Sequence, residues 1–109
     1  MSLEKTFENK LKRELKKHKC ECLKVKVIGE SGFMDRLVIN ASGIYYPCEI
    51  KDLNKYADPL QVSFCKRLLK VGVQPVLINS EDKLNRFLYY VIHSLPIPAD
   101  SDLTHFTKP

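Results

Sequence analysis

An acidic residue followed fourteen positions later by a Glu-Ile-Lys triplet, which closes an apolar run, restricts this chain more than any other feature. The residues are Asp35 and Glu49-Ile50-Lys51. Successive side chains of a strand point to opposite faces, so Glu49 and Lys51 share one face while Ile50 enters the core. Carboxylates suit a hard divalent cation such as Mg²⁺, and a neighbouring lysine can hold or help deprotonate one of its waters. The combination suits phosphodiester hydrolysis, although the same triplet also occurs as a solvated ion pair.

Length and composition indicate one small domain with an anionic partner. With 109 residues, of which 44% are apolar and 28% charged, the chain can bury a single core. No apolar run approaches the roughly 18 to 20 residues of a membrane span, and charge begins at Glu4. We therefore expect an intracellular, cytoplasmic protein without membrane association. The net charge of +5 favours a polyanionic partner.

The four cysteines do not have the spacing of a structural zinc site. Cys20 and Cys22 form C-x-C, whereas Cys48 and Cys65 fall separately in a predicted strand and a predicted helix. We expect free thiols in a reducing compartment and no disulfide-linked partner.

A four-residue apolar repeat predicts a first amphipathic helix, which starts after Ser2 and runs to about Lys17. The repeat consists of Leu3, Phe7, Leu11 and Leu15. Three glutamates lie on or beside this apolar stripe, namely Glu4, Glu8 and Glu14. A carboxylate there needs a partner, which a metal site at the sheet edge would supply. Pairing with lysines one turn away is the alternative for Glu4 and Glu14.

Three apolar segments then predict an antiparallel meander. They are Leu23–Val27, a run that Asp35 opens through Ile39, and Ile44–Lys51. A Gly-Glu-Ser-Gly loop at 29–32 and an Asn-Ala-Ser-Gly turn at 40–43 separate them. Pro47 in the third segment predicts an edge strand or a bulge, because proline cannot donate to a sheet ladder.

The second half predicts a helix, a short strand and another helix. Asp58 and Pro59 start a helix that runs to about Lys70 and stops at Gly72. Its inward residues are predicted to be Leu60, Phe64, Cys65 and Leu68. A buried strand at Val76–Ile78 follows, and Ser80 starts the last helix. The order is αβββαβα, an α/β fold with a mixed sheet.

The end of the chain contains prolines and no periodic pattern. We expect residues 1–93 to form the domain and residues 94–109 to form a poorly ordered or partner-dependent tail. The segment Phe87–Ile92 is apolar almost all round its helix, so one side needs a cover that the sheet cannot provide. A second subunit would provide it, which predicts a homodimer. The tail folding back is the alternative.

An ordered series of motifs over about Phe7 to Val91 resembles a known family. The motifs are Gly32 to Ile39, Cys48 to Lys51, Leu60-Gln61, Gly72 and Val76 to Ile78. Together they resemble the virus-type replication-repair nuclease domain, VRR-NUC, of the PD-(D/E)XK superfamily. The resemblance implies a restriction-endonuclease-like core and a stand-alone phage or prophage protein, which would work in bacterial or phage-infected cytoplasm. Two residues depart from the family pattern, since Met34 replaces a proline and Pro47 replaces an apolar residue.

The resemblance also implies roles for individual residues. By position, Asp35 would be the aspartate of the PD motif, and Glu49 and Lys51 the E-x-K pair. Gln61 resembles the family's helix glutamine. Glu8 resembles its first-helix glutamate, and Glu4 is the alternative for that role. Asp35, Glu49 and the Ile50 carbonyl would hold Mg²⁺ or Mn²⁺, and Glu8 would hold a second metal or its waters. Lys51 would orient the attacking water, and Gln61 would hold that lysine or the phosphate.

Lys24 and Arg36, on either side of the predicted catalytic loop, are candidates for phosphate contacts, with solvated surface cations as the alternative. The expected function is that of a metal-dependent DNA endonuclease, structure-selective on branched DNA in the manner of a Holliday-junction resolvase. The alternatives are a flap, nick or non-specific duplex nuclease, and a non-catalytic DNA-binding module of a phage replication or packaging complex.

Overall fold

The elements follow the predicted order. The computed structural model describes residues 2–26 and 34–109, so the glycine loop expected at 29–32 lies outside the described residues. The elements are α1 (Leu3–Lys17), β1 (Glu21–Lys24), β2 (Arg36–Ile39), β3 (Tyr45–Ile50), α2 (Pro59–Lys70), β4 (Val76–Ile78), α3 (Glu81–Ile92) and a 3-10 helix (Asp102–Thr104). The predicted αβββαβα order is therefore confirmed, with a short helical turn added at the end.

The strands form one mixed sheet in the order β1-β2-β3-β4. The first three strands pair antiparallel, as the predicted meander requires, and β4 pairs parallel to β3. A parallel pair needs a crossover connection, and α2 provides it. The first strand begins at Glu21, two residues earlier than predicted, and pairs with β2 from Glu21↔Ile39 to Lys24↔Arg36. The predicted end at Val27 lies outside the described residues.

Strand alternation divides the core into two layers. On one face, Val38, Cys48 and Ile50 pack with residues of α1 and α3, including Leu11 and Phe87. The opposite face carries Leu77, which packs with residues of α2 and neighbouring segments: Met34, Phe64, Cys65 and Phe106. The side chain of each strand residue therefore belongs to either the α1/α3 face or the α2 face.

Pro47 lies in a central strand, so the predicted edge position or bulge is wrong. It pairs with Leu37 of β2 inside a regular antiparallel register. The backbone N–H of Lys51 donates to the Ile78 carbonyl of β4, and by alternation the nitrogen of Pro47 points to the same side. The strand β4 pairs with β3 only from Cys48 onward. The missing donor thus falls before β4 begins, where the ladder does not need it.

The C-terminal segment is an ordered part of the fold, so the expectation of a poorly ordered tail is wrong. Leu103 is fully buried in the layer between the sheet and α3, and Phe106 is buried in the α2 layer. The Phe106 carbonyl accepts the backbone N–H of Ala57 at 3.0 Å. Asp102 also accepts a 2.6 Å hydrogen bond from Arg86 of α3. The tail thereby supplies cover for α3, which was the alternative to a second subunit.

The α2 helix begins and ends where predicted, but the residues that face the core differ from those predicted. Asp58 is its N-cap, Val71 its C-cap, and Gly72 follows at a φ of +84°, a conformation that favours glycine. Its buried residues are Gln61, Phe64 and Cys65. Leu60 is 59% exposed, so its predicted inward orientation is wrong. A polar residue, Gln61, takes the core-facing position in that first turn.

The cysteines carry free thiols. Cys48 and Cys65 are buried, and Cys20 and Cys22 are half-buried. Burial raises the pKa of the Cys48 thiol well above its ordinary value. Within the described residues, no helix is both long and apolar enough to cross a bilayer.

Candidate active site

Asp35 and Glu49 meet where β2 begins and β3 ends. The antiparallel register pairs Arg36 with Cys48, so the next residues outward, Asp35 and Glu49, lie opposite each other. The backbone N–H of Asp35 donates to Oε2 of Glu49 at 3.0 Å. Asp35 itself is exposed. The hairpin thus places one exposed and one buried carboxyl side by side on the α2 face.

Glu49 is the most unusual ionisable group of this site. The residue is only 1% exposed. Burial, followed by the negative charge of Asp35, raises the pKa of its carboxyl from 4.5 to about 8. The backbone hydrogen bond from Asp35 and the charge of Lys51 act in the opposite direction but do not compensate. At neutral pH the site therefore favours an added positive charge, supplied by a proton or by a cation.

Gln61 holds the second oxygen of Glu49. Its Nε2 donates to Oε1 of Glu49 at 2.7 Å, and its Oε1 accepts the backbone N–H of Asp58 at 3.1 Å. Since Gln61 stands in the first turn of α2, this hydrogen bond ties the helix start directly to the hairpin of β2 and β3. The resemblance implied that Gln61 would hold the lysine or the phosphate. In the structure, Gln61 instead binds the carboxyl group of Glu49.

Lys51 lies just beyond β3 on the same face as Glu49. Its Nζ is 3.8 Å from Oε1 of Glu49, and its side chain is partly buried. Its backbone N–H donates to the Ile78 carbonyl at 2.8 Å, at the last pair of the parallel β3–β4 ladder. The Lys51 amine therefore lies close to the carboxyl of Glu49, at the end of the β3–β4 ladder.

Glu8 and Arg36 bind each other on the opposite face of the sheet. Arg36 shares the α1/α3 face with Val38, and its guanidinium lies 2.6 Å from Oε1 of Glu8 on α1. Lys5 approaches the same oxygen at 3.5 Å. Burial opposes ionisation of Glu8, but the charge and hydrogen bond of Arg36 outweigh it and hold its pKa below the ordinary value. Glu8 is thus not brought to the Asp35–Glu49 pair in this structure.

The two cations proposed for phosphate contacts have different surroundings. Lys24 is exposed at the end of β1, directly beside Arg36 in the sheet register. Arg36 is only 8% exposed and paired with Glu8. Direct phosphate contact needs an accessible cation, so Lys24 keeps that role as a prediction, whereas the position of Arg36 favours a structural one. Glu4, the rival of Glu8, is half-buried in the first turn of α1.

The residues at the sheet end fit a divalent cation. The carboxylates of Asp35 and Glu49 are hard oxygen donors. Burial, together with the neighbouring charge of Asp35, raises the pKa of Glu49, so a bound cation would stabilise its ionised form. No group of three or more His, Cys, Asp and Glu side chains with metal-binding geometry occurs among residues 2–26 and 34–109. Two carboxylates with a main-chain oxygen suit Mg²⁺, which keeps several waters when bound.

Comparison with solved structures identifies the fold. A chain described as "VRR_NUC domain" superimposes with a TM-score of 0.76 at 23% identity, and the match covers 83% of this chain and 98% of that chain. The protein has the VRR_NUC fold. The fold expected from the resemblance in the sequence is thereby confirmed. No family model and no curated protein matches this sequence.

The VRR_NUC fold brings together four of the residues singled out in the sequence: Asp35, Glu49, Lys51 and Gln61. Two features of the site were not anticipated. The sequence offered Arg36 as a surface cation, although its alternation with Val38 along β2 could have indicated an inward position. Asp58 was recognised as a helix cap, but its link through Gln61 to Glu49 depends on how α2 docks against the sheet.

Proposed function

We propose that this protein is a metal-dependent DNA endonuclease that works inside the cell. The proposal is carried by one observation: at the end of the sheet, Glu49 contacts both the backbone of Asp35 and the Lys51 amine. Glu49 is buried there and hydrogen-bonded through both oxygens. The VRR_NUC fold and the net charge of +5 support it, because the polyanionic backbone of DNA is attracted to a basic protein.

Each residue of the site would have its own role in hydrolysis. Asp35, Glu49 and the Ile50 carbonyl would hold Mg²⁺ or Mn²⁺, which supplies Lewis acidity to a bound phosphate and acidity to a bound water. Lys51 would orient the attacking water and stabilise the negative charge that develops on the phosphorus oxygens. Gln61 would keep the Glu49 carboxylate in place during the reaction. Lys24 is proposed to contact a flanking phosphate.

The decisive experiment is incubation of supercoiled plasmid with the purified protein in Mg²⁺, in Mn²⁺ or in chelator. We expect conversion to nicked and linear forms with either metal and none in chelator. The Asp35→Asn variant, prepared in the same way, controls for a contaminating nuclease. Conversion in chelator, or by Asp35→Asn at the parent rate, would refute the assignment.

Branched DNA is the proposed preferred substrate, as the resemblance to junction resolvases implies. A gel assay with a four-way junction, a flap, a splayed arm and plain duplex tests it against the alternative of a flap, nick or non-specific duplex nuclease. A protein that binds these DNAs but cuts none of them would instead be a non-catalytic module of a phage replication or packaging complex.

Homodimerisation is a separate proposal that now rests on the resemblance. Phe87 and Val91 of α3 are fully buried within one chain, and Tyr89 remains 56% exposed on that helix. A symmetric dimer would present two sites to opposite strands of a junction. Light scattering at tens of micromolar tests it, and a mass near 12.6 kDa would identify a monomer.

A further inference from the structure

The start of α2 contains a closed ring of two hydrogen bonds between Asp58 and Gln61. The Asp58 carboxylate accepts the backbone N–H of Gln61 at 2.9 Å, and Oε1 of Gln61 accepts the backbone N–H of Asp58 at 3.1 Å. This arrangement is a capping box, which satisfies two otherwise unpaired donors at a helix start. It also occupies the oxygen end of the Gln61 side-chain amide.

The other end of that amide faces the proposed catalytic carboxylate. A glutamine amide has one acceptor end and one donor end, and Nε2 of Gln61 donates to Oε1 of Glu49 at 2.7 Å. Turning the amide over would place donor against donor at Asp58 and acceptor against acceptor at Glu49. The capping box therefore determines which end of Gln61 meets Glu49.

We infer that Asp58 is a positioning residue for the metal site, acting through Gln61 on Glu49. The inference rests on the proposed function and deepens it. The Asp58 carboxylate holds the first turn of α2, the first turn holds the Gln61 amide, and the amide holds one oxygen of a metal-binding carboxylate. Partners that orient a metal ligand in this way typically change metal affinity or activity by about 10- to 100-fold when removed.

The chain contains a matched control for loss of a helix cap. Ser80 caps α3 and accepts the backbone N–H of Lys83 at 3.2 Å, but α3 packs on the opposite face of the sheet from Glu49. Asp58→Ala and Ser80→Ala each remove a capping side chain. We expect both to lower Tm by a similar amount, on the order of 5 °C. Only Asp58→Ala should disturb Glu49.

The experiment compares these variants as full-length proteins. The first measurement is the Mg²⁺ concentration that gives half-maximal plasmid cleavage, and the second is the carboxyl ¹³C NMR signal of Glu49 in metal-free protein, assigned with Glu49→Gln. We expect Asp58→Ala to raise the half-saturating Mg²⁺ concentration about tenfold and to shift the Glu49 signal. Ser80→Ala should change neither, and Asp58→Ser, which restores a capping oxygen, should recover both.

A double variant tests the route through Gln61. In a Gln61→Ala background, Asp58→Ala should add no further change to either measurement. The inference is overturned if Asp58→Ala matches the parent, if Ser80→Ala shifts the Glu49 signal equally, or if the effects of Asp58→Ala and Gln61→Ala add. If Asp58→Ala does not fold, Asp58→Gly carries the same test, since glycine at an N-cap costs little stability.

Failure of the proposed function would be distinguishable from failure of this inference. A parent protein that cleaves no DNA removes the proposed function, while the ¹³C signal in metal-free protein still decides whether Asp58 positions Glu49. If the parent cleaves DNA but Asp58→Ala leaves the Glu49 signal unchanged, only the inference about Asp58 is refuted.

Discussion

The Arg36 guanidinium binds the Glu8 carboxylate at 2.6 Å, on the sheet face opposite to Glu49. Arg36 directly follows Asp35 in the chain, so this ion pair joins α1 to the residue next to the proposed metal ligand. Each residue of this pair compensates the charge of the other. Removing Glu8 leaves a buried guanidinium without that carboxylate, and removing Arg36 leaves Glu8 with the more distant Lys5.

We predict that Glu8→Ala lowers the free energy of unfolding by about 2 kcal/mol, because it unpairs a largely buried charge. Glu14→Ala on the same helix is the matched control, since Glu14 forms an exposed pair with Lys17 at 3.4 Å and should contribute less than about 1 kcal/mol. Urea unfolding measures both. Equal small effects would mean that the Glu8–Arg36 pair contributes no more than an ordinary surface pair.

Plasmid cleavage tests whether Glu8 or Glu4 contributes to the proposed activity. Glu8→Ala should impair cleavage far more than Glu4→Ala, because only Glu8 is bound to the residue that follows Asp35. If Glu8 acts through Arg36, Arg36→Met should impair cleavage comparably. If Glu8 instead binds a second metal, Arg36→Met should have the weaker effect. Equal cleavage by Glu8→Ala and Glu4→Ala would contradict any role of Glu8.

Replacement of either proposed metal ligand should abolish cleavage while the fold persists. Asp35→Asn and Glu49→Gln remove the charge of an oxygen donor, and Lys51→Ala should reduce the rate by at least about 10²-fold, as expected for one positioned catalytic group. Circular dichroism checks the fold, and plasmid nicking in Mg²⁺ measures the rate. Parent-like nicking by Glu49→Gln would show that the metal is held elsewhere.

The stability of the metal-free protein should fall as pH rises from about 4.5 to about 8. Burial and the charge of Asp35 raise the pKa of Glu49 to about 8, so in this window the folded state binds more protons than the unfolded state. The free energy of unfolding then decreases with pH, in total by on the order of a few kcal/mol. Urea unfolding in chelator at pH 5, 6.5 and 8 measures this slope.

Glu49→Gln provides the control for this slope, because an amide does not titrate. Whatever its absolute stability, its pH dependence over the same window should be smaller than that of the parent. Mg²⁺ competes with the proton for Glu49, so the Tm increase produced by Mg²⁺ should be larger at pH 8 than at pH 6. Identical slopes for the parent and Glu49→Gln would mean that Glu49 titrates near its ordinary value.

The C-terminal segment should be required for stability. Leu103 is fully buried between the sheet and α3, so Leu103→Ala should lower the free energy of unfolding by roughly 2 to 5 kcal/mol. Leu60→Ala, at a position that is 59% exposed, should change it by about 0.5 kcal/mol or less. Thermal or urea unfolding measures both. Similar values for the two variants would contradict the ordered packing of the tail.

Local patterns in the sequence determined the secondary-structure elements and the residues of the β2–β3 hairpin proposed to be catalytic. The four-residue repeat of α1, the Asp58 and Ser80 caps and the stop at Gly72 depend on interactions within a few residues, so sequence spacing reveals them. The same holds for Glu49 and Lys51, since two residues along a strand necessarily share a face. The proximity of Glu49 to Asp35 followed from the predicted antiparallel pairing of adjacent segments.

Long-range packing determines which residues that are distant in sequence contact one another. The tolerance of Pro47 depends on where β4 begins. The burial of Leu103 depends on its packing in the cluster formed by the sheet, α1 and α3, and the Glu8–Arg36 pair depends on how α1 packs on the sheet. None of these relations is encoded by local spacing, because each joins segments that are far apart in sequence. The sequence alone therefore determined which groups could perform the chemistry, whereas packing determined how each group is held and charged.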